Sequence, residues 1–302
     1  MKKIIFIAII LLIFKPQTAL AEGSGLLVSP AVITARTEQQ NKITATITLT
    51  NQVSQNVSYT IAMLPFHASP INNGEPILEN NIGKDYNSLF QNISVVENNS
   101  AIVQVDLAPL QKKNLKLVMD IPNSLSKRDY YFSVIFTSVN QNESGNSSIV
   151  KIKSASAINV LLSFGKKANP KGEITFNAPK ILTKGPVIFK VNVKNDSNNF
   201  VTANGVINVK NVFGQSVGSF DIGPVNILSK SERTIDDSIW SEKFLLGFYT
   251  AQVQVSLSPS GPVLTKDLSF FAFPTKALGI FLISTLFVIY IISRAIKKRR
   301  KI

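Results

Sequence analysis

Cysteine is absent from the 302 residues, and histidine and tryptophan each occur once. The first two scarcities remove disulfide scaffolds, cysteine nucleophiles and the Cys/His zinc sites that need three or four ligands. A Ser/His/Asp triad would have to use His67. That residue sits in Pro65-Phe66-His67-Ala68-Ser69-Pro70 and reads as a loop histidine, while Ser144-Gly145 falls in an Asn-rich loop. A phosphate-cradling glycine loop and an acidic calcium loop are both missing. No catalytic residue, metal or cofactor is expected, and the chain reads as non-enzymatic. Acidic residues are also few, 18 against 32 basic for a net charge of +14. Nine of the basic residues sit at the two ends, which leaves about +5 over the middle of the chain. A nucleic-acid footprint would gather its charge on one face. Here lysine is scattered among Asn, Ser and Thr, so no nucleic-acid partner is expected.

The two ends look like addresses. Lys2 and Lys3, an apolar run from Ile4 to Phe14, and Ala19-Leu20-Ala21 follow the order of a secretory signal peptide over residues 1–21. At the other end Ala277 to Ser293 is uncharged for 17 residues, a reach of ~25 Å as a helix. Arg294, Lys297, Lys298, Arg299, Arg300 and Lys301 follow it. That bias predicts a transmembrane helix over 276–294 and a basic cytoplasmic tail over 295–302, with everything earlier outside the cell.

Between the ends the apolar residues alternate with period two. Ile43, Ala45, Ile47 and Leu49 interleave with threonines, and Leu115, Leu117, Met119 and Ile121 repeat the pattern. Tyr130 to Thr137 reads as a central strand, and Ile158, Val160, Leu162 and Phe164 close a first set. Gln141 to Ser148 is a hairpin loop by composition, and 165–172 is a polar linker. The alternation then restarts at Val187, Phe189, Val191 and Val193 and returns at Tyr249 to Leu257. No helix is expected except at the ends. The prediction is an all-β fold: two immunoglobulin-like β-sandwich domains in tandem, 22–164 and 173–275, then one C-terminal transmembrane α-helix.

A weak internal repeat links the halves. An early strand ends in Asn51 in one and Asn195 in the other, and a late strand is led by Tyr130 or Tyr131 in one and by Gly247-Phe248-Tyr249 in the other. The second spelling suggests a tyrosine corner, whose hydroxyl bonds back to the backbone. Between these marks the first half is longer, 79 residues against 54, and the excess is placed in Pro70 to Tyr86. Adjacent Asp236-Asp237 reads as a loop or edge feature. Trp240 is the best candidate for a ligand-stacking residue, with packing under the sandwich or at its membrane-proximal base as the more common role of such a residue.

This layout resembles the WxL-protein-interacting family of bacterial cell-surface proteins, in Leu27-Val28-Ser29-Pro30, in the strand ending at Asn51, and in the stretch from Ile227 through Trp240 to Tyr249. The first domain is more distantly similar to the pilus-chaperone sandwich, with Arg36 nearest to that fold's carboxylate-gripping basic pair. The resemblance implies a membrane-anchored extracellular binding or adhesion protein whose partner is a cell-envelope protein or cell-wall glycan. The alternative is a chaperone-like scaffold acting by β-strand addition, with Ile158 to Phe164 as the edge that gives or accepts a strand and Ile158, Val160 and Leu162 as contact residues.

Overall fold

The computed structural model describes residues 25–37, 41–139, 154–164, 170–259 and 261–299. The expected signal peptide, the 141–148 loop and most of the linker lie outside these residues. The period-two segments are strands, and the chain is a mostly β structure of sandwich type with two separate cores, one from Leu26 to Leu162 and one from Ile174 to Ala272.

In the first sandwich, β1 (Leu26–Ser29), β3 (Lys42–Asn51), β9 (Lys112–Asp120), β6 (Ile93–Glu97) and β7 (Ser100–Ile102) form one sheet in that order. Facing it, in order, are β2 (Val32–Thr37), β11 (Ala155–Phe164), β10 (Tyr130–Val139), β4 (Val57–Ala68) and β5 (Pro76–Leu78), with β8 (Gln104–Leu107) also on β4. The first strand therefore changes sheets: β1 pairs antiparallel with β3, and β2 runs parallel to β11. The second sandwich repeats this plan. β12 (Gly172–Asn177), β14 (Val187–Asn195) and β17 (Glu232–Trp240) make one sheet. β13 (Ile181–Leu182), β19 (Val263–Ala272), β18 (Gly247–Ser256), β15 (Val201–Asn211) and β16 (Ser216–Ile227) make the other, with β13 parallel to β19.

The repeat seen in the sequence is atomic. Asn51 and Asn195 are both buried. The Asn51 amide donates to the carbonyls of Gln55 at 2.8 Å and Ala108 at 2.8 Å, and its Oδ1 accepts from the Val53 amide. Asn195 donates to Asn199 at 2.9 Å, Ile227 at 3.1 Å and Leu228 at 2.9 Å, and accepts from Ser197. One side chain thus closes a turn and ties it to a second loop, satisfying carbonyls that burial would otherwise orphan. The tyrosine corners are present as well. Tyr130 Oη donates to the Ser126 carbonyl at 3.1 Å, and Tyr249 Oη to the Leu246 carbonyl at 3.3 Å.

Two expectations need correcting and one is met. The excursion after Pro70 is not only loop: it holds β5 and a helix, α1 (Lys84–Phe90), whose Leu89 is buried in the first core while Tyr86 meets Tyr130 edge-on at 5.3 Å. Asp236 and Asp237 are the expected edge feature: they lie in β17, the outer strand of its sheet, opposite the bulge between Phe189 and Val191. Charge and irregularity at an outer strand discourage edge-to-edge pairing. Third, the C-terminal stretch is helical, α2 (Thr275–Arg299), but among the described residues no helix is long and apolar enough to cross a membrane. Its uncharged run is short, so the structure has an exposed apolar helix here rather than a demonstrated span. Of the basic cluster, Arg294 lies over the Tyr290 ring at 5.9 Å. Lys297, Lys298 and Arg299 belong to α2, their side chains undescribed, and Arg300 and Lys301 lie outside the described residues.

Candidate functional site

The contact residues expected on an open edge are in the interior. β11 is flanked on both sides, by β10 from Tyr130↔Leu162 to Thr137↔Ala155 and by β2 from Asn159↔Val32 to Phe164↔Thr37. Ile158, Val160 and Leu162 are fully buried and point into the first core. The edge reading is corrected accordingly: only Ala155 to Ile158 have no strand partner opposite β10 among the described residues, and there Ser156 Oγ donates to the Leu26 carbonyl at 2.9 Å. Val160→Lys would bury an unpaired ammonium, so the first domain is expected to lose about 4 kcal/mol or more. Loss of its cooperative thermal transition checks this, and a variant that melts like the parent would show that Val160 is not core.

Trp240 is also interior. It is 7% exposed and packs edge-on against Tyr249 at 5.3 Å and Phe270 at 6.4 Å. It fills the second core and offers no stacking face to a ligand.

The concave site lies where the two sandwiches meet. The alternate residues of β11 that face away from the core point to the second domain: Asn159 and Leu161 meet the segment from Asn226 to Arg233, and Ser163 Oγ accepts from Asn199 Nδ2 at 3.0 Å. The contact rests on Asp129, a buried carboxylate. Asp129 accepts from Asn199 Nδ2 at 2.7 Å, from the Phe200 amide and from Tyr131 Oη at 2.9 Å. Tyr131 Oη in turn accepts from the Ser229 amide at 3.1 Å. Burial, with the Asp129 carboxylate beside it, pushes the Tyr131 hydroxyl well above its ordinary range, so it remains a donor. A buried charge with this many donors is satisfied, and it locks the domain pair by the cost of exposing any of them.

The Pro70 excursion makes the second bridge. The Asn72 carbonyl accepts from the Thr234 amide at 2.7 Å, and Asn72 Nδ2 lies 3.4 Å from Glu232 Oε2. At Gly74, with φ of +79°, the Arg233 guanidinium lies on the backbone, where a Cβ would come within 2.3 Å of it. A side chain at 74 would have to push that guanidinium aside and adopt a left-handed φ.

Between these bridges is a cleft of about 220 Å³. Val32, Phe66 and Leu161 form an apolar floor, and Ile227 and Leu228 face them. Glu75, Glu232, Arg233, His67 and Asn159 supply the polar groups. His67 belongs to β4, not to a loop, and its Nδ1 lies 2.9 Å from Glu79 Oε1. Ser69 lines the same cleft, but its Oγ faces the Ile71 amide at 3.4 Å, and no hydrogen bond joins it to His67 among the described residues. The sequence does contain one Gly-x-Ser-x-Gly spelling, Gly214 to Gly218. It lies in the β15–β16 hairpin of the other sandwich, not on a strand-to-helix elbow. Among the described residues no group of three or more His, Asp or Glu side chains could hold a metal. Arg36, on β2, does not line the cleft. Glu75, Glu232 and Arg233, which do, had no signature in the sequence, since fold and distant chain segments bring them together.

No family model matches the chain, and no curated protein does. The resemblance to the WxL-protein-interacting family therefore finds no counterpart; the solved structures to which the chain is similar include chaperones of pilus and fimbria assembly. The Pseudomonas aeruginosa CupB2 chaperone is 11% identical over 80% of this chain and 98% of its own, with a TM-score of 0.37. The E. coli chaperone DraB gives 12%, 80%, 98% and 0.38. The Salmonella enterica SafA pilin in complex with the SafB chaperone gives 10%, 80%, 96% and 0.38.

Proposed function

We propose that this protein is a membrane-tethered, non-enzymatic binder of polypeptide segments at the cell surface, a chaperone-like scaffold whose partner enters the cleft between the sandwiches. The cleft is the observation that carries the reading. An apolar floor with a few convergent polar groups is the usual anatomy of a binding site, yet about 220 Å³ is below the size that encloses a drug-sized ligand. It suits one or two side chains of a macromolecule whose remaining contacts lie outside. Acids and a guanidinium together fit the mixed polarity of a peptide. Adhesion through wall glycan has less support, because sugars stack on exposed indoles and the single Trp240 is buried.

The tether is α2. Its large apolar side chains from Leu278 to Ile292 are exposed. At ~25 Å against ~30 Å of hydrocarbon the uncharged stretch falls short of a span, so α2 tethers by burying these apolar side chains in the bilayer. The basic residues after Ser293 then meet anionic headgroups at the membrane surface.

A photo-crosslinking residue placed at Val32, in the cleft, and at Val217, exposed on β16 away from it, tests the reading in the full chain in intact cells. Adducts to a recurring peptide sequence at Val32 but not at Val217 are expected. Equal labelling at both positions, or retention of wall glycan without protein adducts, would overturn it.

A further inference from the structure

The exposed aromatic side chains of the second sandwich collect at one end, the end from which α2 departs. Registers across three strands place Ile181 opposite Phe271 and Phe271 opposite Phe248. Residues directly opposite on neighbouring strands share a face, so the three form one row, with the Phe248 and Phe271 rings 4.7 Å apart. The next rows on that face are polar: Thr250 opposite Ser269, then Gln252 opposite Asp267. Apart from Val263 opposite Ser256 at the far end, the face is polar until this row. Phe273 continues the row toward Thr275, where α2 begins, and Phe244 and Leu246 stand exposed in the loop before β18.

The β15–β16 hairpin turns at the same end, because Asn211 is opposite Tyr249. Its tip, Val212-Phe213, is apolar, and Phe213 is 82% exposed. The turn is held rigidly. Asn211 Oδ1 accepts from the amides of Phe213 and Gln215, Asn211 Nδ2 donates to Gln215 Oε1, and Gly214 takes the φ of +77° that the turn requires. An ordered turn that holds a phenylalanine ring out in water has no internal packing reason.

Around these rings stand lysines. The Lys180 carbonyl accepts from the Phe271 amide, the Lys243 carbonyl faces the Gly185 amide at 3.4 Å, and Lys184 and Lys276 are exposed beside them. Glu242 is the one acid in the same segments. Aromatic rings with a cationic rim match the interface of a bilayer bearing anionic headgroups.

We infer that the base of the second sandwich is a membrane-docking surface, with Phe213, Phe244 and Phe248 inserted at the headgroup level and Lys180, Lys184 and Lys243 on anionic lipid. The inference rests on the tether reading of α2 and goes beyond it: the sandwich is seated on the bilayer at a fixed tilt and does not swing on a flexible stalk. Continuity with α2 and the sign of the rim select lipid over a protein partner.

Because the chain has no cysteine, single spin labels can be placed in the full-length protein in liposomes containing phosphatidylglycerol. Labels at Phe213→Cys, Phe248→Cys, Ile283→Cys and Val263→Cys would be compared for collision with oxygen, which enters lipid, and with a water-soluble nickel chelate. Labels at 213 and 248 are expected to favour oxygen severalfold over the label at 263, at the far end of β19. Lys180→Glu/Lys184→Glu/Lys243→Glu, or replacement of phosphatidylglycerol by phosphatidylcholine, should reduce that preference. A water-exposed label at 248 with a lipid-exposed label at 283 would overturn the docking surface and leave the tether standing. A label at 283 in water would instead overturn the tether. Labels at 213 and 248 shielded from both reagents would mean that protein covers the patch, and a preference indifferent to headgroup charge would remove the lysine rim from the account.

Discussion

Asn195→Ala is expected to destabilise the second sandwich by about 3 kcal/mol, because three carbonyls and one amide at a buried or part-buried bracket lose their partner together. Trp240, the only tryptophan, is buried in that same core, so urea unfolding followed by its fluorescence reports this domain alone. Asn51→Ala removes the matching bonds in the first sandwich and should lower its stability by a similar amount, read by circular dichroism, with little change in the Trp240 transition. Asn195→Asp should do no better than alanine, since a carboxylate there would face carbonyl oxygens. A shift below about 1 kcal/mol for Asn195→Ala would mean that the turn finds other donors.

The second large effect concerns the domain pair. Asp129→Ala takes the acceptor away from Asn199, the Phe200 amide and Tyr131 at once. Each is left at a buried contact, and the coupling between domains should fall by about 3 kcal/mol. Spin labels at Val103→Cys and Val263→Cys, exposed positions on opposite domains, would show it. A single narrow distance distribution in the parent is expected to broaden in the variant, while each domain keeps its own melting transition. An unchanged distribution would place the rigidity in the Asn72–Thr234 and Gly74–Arg233 bridge instead.

Much of the fold could be read from the sequence because alternation is a local signal. Ile43 to Leu49 and Val187 to Val193 show their inner faces without reference to any neighbour. The paired Asn51 and Asn195 were visible too, although that both are buried brackets with matching bonds was not. What escaped was everything set by pairing between distant segments. Ile158 to Phe164 alternates well enough to look half-buried, and only Leu161 and Ser163, small or apolar where an exposed strand would be charged, hint that the other face is covered as well. Whether a strand is an edge depends on its neighbours, and the cover over β11 comes from β2 and from the second domain. α1 was missed because seven residues with Asn and Ser among them carry little helical signal; Leu89 earns its helix by tertiary burial. The cleft assembles Glu75 with Glu232 and Arg233 from opposite halves of the chain.

The sheet-switching first strand has a mechanical consequence. In each sandwich the entering strand runs parallel to the departing one, β2 beside β11 and β13 beside β19. A pull between the two ends of a sandwich draws such strands past each other lengthwise, loading the bonds between them together and not one after another as a zipper would. The first sandwich has six registered pairs in this clamp and the second has two. Under tension the second sandwich is therefore the weaker link, and it would extend before the first lets go of its fold.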